Sequence, residues 1–205
     1  MNIYPHINDI PGFDAVVLAN GSFPKAEIPL SILSRAPYVC ACDGAILNYP
    51  KANAVVGDGD SVPAEYRSRL IHITEQADND LTKATRHCIE QGMHRIAYLG
   101  CTGKREDHTL GNISLIVRYM RDFNVLPLMA TDYGWFIPVQ GSADFECYPG
   151  QQVSIFNFGC NRLNSNGLLY PAYSFGEWWQ GTLNEAVSNS FHIDADGLYM
   201  VYRTY

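Results

Sequence analysis

Lysine is scarce in this chain: only Lys25, Lys51, Lys83 and Lys104 occur in 205 residues, and they are scattered. Basic residues number 14 against 21 acidic ones, for a formal net charge of −7. The clustered positive charge that a nucleic-acid grip requires is missing, so nucleic acid is not expected as a partner. Charged residues are few, at 17%, while 47% are hydrophobic and 12% aromatic, which excludes a disordered chain. No run of about 18 apolar residues occurs, so no membrane-spanning helix is expected. The opening stretch MNIYPHINDIPGFD lacks a basic start, an apolar core and a cleavage signal, and does not read as a secretory leader. A cytoplasmic protein is expected. Its six cysteines have no CxxC pair, and Cys40 and Cys42 alternate along a strand-like run with no His pair nearby, so buried thiols are expected rather than disulfides or zinc. Two nucleotide signatures are also missing. There is no GxxxxGK[ST], and no GxGxxG follows the first strand, so any phosphate chemistry uses another layout.

The length suits one or two domains and needs neither disulfide nor metal to fold. The chain changes character near residue 131. Before it, short apolar runs at 15–19, 38–42, 54–57, 71–74, 96–100 and 125–130 read as buried strands. Two helices are predicted between them. One spans 79–91, with Leu81, Ala84, Thr85, Cys88 and Ile89 on one face and Asp78 as its cap. The other spans 106–121, with Leu110, Ile113, Val117 and Met120 at helical spacing. Such alternation predicts an α/β domain over 1–131, a parallel Rossmann-like sheet with flanking helices. The remainder holds sixteen of the 25 aromatic residues. Its β-prone segments at 144–148, 152–158 and 197–202, separated by Gly, Asn and Pro turns, predict a small antiparallel β-sandwich over 132–205.

In an open parallel sheet, ligands bind beyond the carboxyl ends of the strands. The sequence places Asn20-Gly21, Asp43-Gly44, Gly57-Asp58-Gly59-Asp60-Ser61, Gln76-Ala77-Asp78-Asn79-Asp80 and the run Gly100–His108 there. Carboxylates crowded at one rim repel unless a cation neutralises them, and Mg²⁺ takes one or two carboxylates, completing its shell with water and phosphate. Lys83 and Arg105 offer charge to phosphate oxygens. Each piece alone has a plainer reading: Asp43-Gly44 as a turn, Asp80, Lys83 and His87 as an ion-paired helix face, His108 and Asn112 as capping or packing residues, and Lys104–Asp107 as an exposed charge run. Their joint position favours a metal–phosphate site. Trp178 and Trp179 lie in a Gly-flanked loop, where stacking on a ring and ordinary packing are both open.

Taken in order, Asn20-Gly21, Cys42-Asp43-Gly44-Ala45, GDGDS at 57–61, QADNDLTK at 76–83 and GCTGKREDH at 100–108 resemble thiamine pyrophosphokinase, as do GLLYP at 167–171 and Val187-Ser188-Asn189. The resemblance implies transfer of the diphosphate of ATP to the hydroxyl of thiamine, with release of AMP, by a homodimer whose active site lies near the subunit interface. It implies magnesium on Asp58, Asp60 and Asp80, with Arg105 and Asp107 also catalytic. It implies ATP contacts from Asn20, Gly21, Asp43, Gly44, Ser61, Gln76, Lys83, Thr102, Gly103 and His108, and thiamine contacts from Ser188 and Asn189. Gly59 stands where the family often has Phe, and Lys104 at a glycine position, which adds a charge beside the phosphates. Two other functions are weighed against this one: a pyrophosphokinase for another heteroaromatic alcohol such as a hydroxymethylpterin, and a non-catalytic nucleotide or thiamine sensor.

Overall fold

A computed structural model describes residues 2–75 and 77–205. The chain divides into two units, Gly12–Asp132 and Met1–Pro11 with Tyr133–Tyr205. Strand β1 (Asn2–Tyr4) pairs in parallel with the later segment Ala143–Glu146, so the N-terminal residues group with the aromatic-rich half and not with the α/β half.

The α/β unit contains β2 (Ala15–Leu18), β3 (Val39–Cys42), β4 (Ala54–Gly57), β5 (Leu70–His72), β6 (Arg95–Leu99) and β7 (Leu126–Ala130). They run in the order β7-β6-β2-β3-β4-β5, and every pairing is parallel. All four residues of AVVL in β2, VCAC in β3 and AVVG in β4 are buried. Unbroken apolar runs of this kind suit strands covered on both faces. Helices α1 (Glu27–Arg35), α2 (Asp80–Glu90) and α3 (Glu106–Phe123) make three of the crossovers. Chain order places β3, β4 and β5 on one side of β2 and β6 and β7 on the other. The connections therefore diverge at β2, and the crevice beyond the ends of β2 and β6 is where such sheets bind ligands.

Two helix details differ from the sequence reading. Asn79, not Asp78, caps α2: its side chain accepts from the backbone N–H of Thr82 (3.0 Å) and from the Thr82 hydroxyl (2.9 Å). Asp78 is drawn instead to Arg86 (2.5 Å) and Arg118 (2.9 Å). In α3 the buried side chains are Asn112, Ile116, Val117 and Tyr119, while Leu110 is exposed. The buried face is turned because Asn112 packs inward, donating to the carbonyl of Cys101 (2.8 Å).

The second unit holds two further groups of strands. One runs β1-β9-β13-β11, with β13 (Ser190–Ala195) antiparallel to both β9 (Ala143–Glu146) and β11 (Leu163–Asn166). The other pairs β8 (Gly134–Gln140), β10 (Gln152–Asn157), β12 (Asn184–Glu185) and β14 (Leu198–Thr204), in the antiparallel order β12-β10-β14-β8. Phe145 stacks on Phe191 and on Tyr4 at ring distances of 4.7 and 5.1 Å. The guanidinium of Arg203 lies over Trp135 and Phe145 and donates to the carbonyls of Glu146 (2.6 Å) and Pro5 (3.1 Å). The buried cation is held by ring faces and peptide dipoles. That desolvation lowers the Arg203 pKa to about 10. All six cysteines are free and buried, and no described helix is long and apolar enough to cross a membrane.

Candidate active site

A cleft of about 380 Å³ opens beyond the ends of β2, β3 and β6. Asn20, Gly21, Asp43, Asp80, Thr102, Arg105 and His108 line it, all of them residues that the sequence singled out. The loops after β2 and β6 are knitted together. The Gly21 N–H donates to Gly100 O (2.7 Å), the Ser22 N–H to Thr102 O (2.8 Å), and the Ser22 hydroxyl to Gly103 O (2.8 Å). A Cβ on Gly21 would run into the carbonyl oxygens of Gly100 and Thr102, so only glycine lets the two loops approach this closely. A Cβ on Gly44 would lie 2.9 Å from the Asn20 side-chain nitrogen and 3.4 Å from Cβ of Ser61, which places these three together at the rim.

Two carboxylates, Asp43 and Asp80, line the cleft, and Asp58 acts on Asp80 electrostatically. Partial burial raises the Asp80 pKa; Lys83 pulls it down, while Asp43 and Asp58 push it further up. Asp43 holds a left-handed backbone (φ 41), and its Oδ1 is buried with no hydrogen-bond partner. A buried, unpaired carboxylate oxygen is costly unless a ligand satisfies it. Asp60 is exposed; its backbone N–H donates to Asp58 Oδ1 (3.1 Å) and shapes the GDGDS turn. Lys83 is buried, 4% exposed, with its ammonium 3.3 Å from Asp80 Oδ1. It is therefore no solvated helix-face residue, and neither is His87, whose Nε2 lies 2.8 Å from the Tyr38 hydroxyl. Burial lowers the His87 pKa. Arg105 and Asp107 form an exposed two-point ion pair (2.6 and 3.1 Å), which raises the pKa of the arginine and lowers that of the aspartate. Gln76 lies outside the described residues.

The expected magnesium can be tested against these groups. Among the described residues, no group of three His, Cys, Asp or Glu side chains is placed to hold a metal by itself. A cation that needs one or two carboxylates and takes its other ligands from phosphate and water does fit. The orphaned Asp43 oxygen and the mutual repulsion around Asp80 are the observations that favour one.

In the other unit, Ser188 and Asn189 sit exposed just before β13. The Ser188 hydroxyl donates to Ser190 O (2.7 Å), and the two carbonyls accept from Cys147, through its thiol and its N–H. The GLLYP segment lies alongside: Val187 N–H donates to Gly167 O (3.0 Å), and Leu168 bridges Ala186. Leu169, Tyr170 and Val187 are exposed beside them. Trp178 packs against Phe156 and Phe158, and its indole donates to Asn157 O (3.3 Å), whereas Trp179 is 69% exposed.

Residues 30–126 match the family model described as thiamin pyrophosphokinase, catalytic domain, and residues 134–202 match that described as thiamin pyrophosphokinase, substrate-binding domain. Thiamin pyrophosphokinase 1 of Caenorhabditis elegans is 27% identical over 106 residues, a match that spans 44% of this chain and 44% of that protein. Among solved structures, yeast thiamin pyrophosphokinase is similar with a TM-score of 0.79 at 15% identity, over 99% of this chain and 90% of that one. Thiamine pyrophosphokinase from Bacillus subtilis gives 0.73 at 20% identity, over 93% of this chain and 98% of that one. At such identities the structural likeness speaks for the fold alone.

Proposed function

We propose, from the premise that the chain belongs to the thiamin pyrophosphokinase family, that it transfers the diphosphate of ATP to the hydroxyl of thiamine, giving thiamine diphosphate and AMP. The observation that carries this reading is the cleft at the divergence of the sheet, where the strand-end motifs after β2, β3 and β6 and the start of α2 converge. The reading makes Gly12–Asp132 the Rossmann-like nucleotide unit and the paired sheets of the other unit a β-sandwich that takes thiamine near Ser188 and Asn189. The exposed Leu169, Tyr170 and Val187 beside that pair support a homodimer that covers them. A cytoplasmic place of action belongs to the same reading.

In the reaction, the thiamine hydroxyl oxygen bonds to the β-phosphorus, its proton passing to a cleft carboxylate, and the bond from that phosphorus to the oxygen bridging to the α-phosphate breaks, leaving AMP. Of the family-like set Asp58, Asp60 and Asp80, one or two carboxylates would hold magnesium together with phosphate and water, and the cation when bound offsets the charge of the transferring group. Lys83 supports Asp80 from below, its buried ammonium holding one carboxylate oxygen in place. Arg105 stands at the cleft mouth, where exchange of Asp107 for a phosphate would give a two-point charged contact. Asn20, Gly21, Gly44, Ser61, Thr102, Gly103 and His108 form the frame around the nucleotide. Phosphoryl transfer through a loose transition state demands little of its nucleophile, so these carboxylates need not include a strong base.

Replacing Asp58 by Ala or Asp80 by Asn is expected to lower turnover at least about 100-fold. Turnover near the wild-type level in both variants would refute the assignment.

A further inference from the structure

We infer that Lys104 is a further binding residue that grips the polyphosphate chain of the nucleotide. The inference rests on the reading that the cleft takes a nucleoside triphosphate. Lys104 lines the cleft beside Arg105 and is exposed. Lys104 and Arg105 at the rim and the buried Lys83 behind Asp80 have different partners. Lys83 faces Asp80 and Arg105 faces Asp107, each a carboxylate. Lys104 instead donates to a neutral acceptor, the amide oxygen of Asn20, at 3.2 Å.

That difference decides which cation exchanges most readily. An ammonium bonded to a neutral amide oxygen gains an ion pair when an anionic phosphate oxygen takes its place, whereas Lys83 and Arg105 must first surrender one. The exchange needs little rearrangement of the backbone. Gly103, in a left-handed conformation (φ 87), is held against Ser22 by the Ser22 hydroxyl bond, so the loop bearing Lys104 is fixed and only its side chain has to swing. Asn20 lies across from Gly44, whose missing Cβ leaves room for its amide nitrogen. In the ligand-free protein the Lys104–Asn20 bond thus links the loops after β2 and β6 at the mouth of the cleft. On nucleotide entry the ammonium passes to phosphate. Such a preformed frame keeps the ordering cost of binding low.

The test compares wild type with Lys104→Ala, Lys104→Gln and Lys104→Arg, measuring steady-state kinetics with ATP and thiamine and, separately, calorimetric binding of inorganic tripolyphosphate. Ala and Gln should each raise the KM for ATP about tenfold, with kcat and the KM for thiamine nearly unchanged, and Arg should restore most of the loss. Tripolyphosphate should bind about tenfold more weakly to Ala and Gln, and its affinity for wild type should fall more steeply with salt than for either variant. Unchanged KM and unchanged tripolyphosphate affinity in Ala and Gln would overturn the inference, as would a fall in kcat with the KM for ATP unaltered. Should wild type bind tripolyphosphate in a Lys104-dependent way yet give no thiamine product, the assigned reaction fails while the phosphate grip stands.

Discussion

Asp14 shows how one carboxylate placed just before β2 secures the next strand in the sheet. Its Oδ2 accepts the backbone N–H groups of Arg95 (2.8 Å) and His94 (2.9 Å), at the start of β6. The Arg95 bond depresses its pKa most; burial opposes the shift and the His94 bond adds to it. A lowered carboxylate pKa contributes stability that is present above the ordinary range and is lost as the pH falls through the depressed folded value. Asp14→Ala should therefore cost about 1–2 kcal/mol at pH 7, and its gap to wild type should close as acid titration protonates Asp14, as read by urea unfolding across pH. Asp14 carried no sequence signal, because its partners lie about 80 residues away. That Asp43, Asp80 and Arg105 line one cleft was readable at this scale from local patterns, Asp43 directly after β3 and the other two at the starts of α2 and α3. The burial of Lys83 was not, because helical spacing alone leaves open whether a lysine faces solvent or a site floor.

At the scale of elements, α2 depends on its cap. Asn79→Ala should destabilise the protein by about 1 kcal/mol, and it should also weaken ATP binding, because Asn79 and Asp80 both line the cleft. A melting curve and an ATP titration of the same preparation check both parts. Helices α2 and α3 were readable from periodicity and first-turn residues. Helix α1 was not, because its cap position is Ala26, without a capping side chain, and the acceptor for the Lys25 and Ala26 N–H groups is Asp132, more than 100 residues on. Strand β8 was hidden by Pro138 in its interior, opposite Met200, and β11 by its polar run LNSN. The three-residue β1 is held by a partner far along the chain and by Arg203 reaching Pro5. Arg203→Met should cost about 2–3 kcal/mol by leaving two carbonyls without their donor, and it should speed amide exchange in β1 and β9 more than in β2 or β6.

For the molecule as a whole, the change of composition near residue 131 marked two halves, because a helix-flanked parallel sheet and a turn-rich antiparallel one demand different sequence periods. Composition gave no sign that the N-terminal residues join the second half, since three β-prone residues carry too little pattern to choose a partner. The cleft lies where chain topology reverses, and that follows from the β7-β6-β2-β3-β4-β5 order, which no local window contains. The central claim, diphosphate transfer to thiamine, is tested most directly by phosphorus NMR and mass analysis of the protein mixed with ATP, Mg²⁺ and thiamine. The account predicts AMP and thiamine diphosphate in equal amounts. AMP and pyrophosphate without a thiamine product, or bound ATP that is never cleaved, would contradict it.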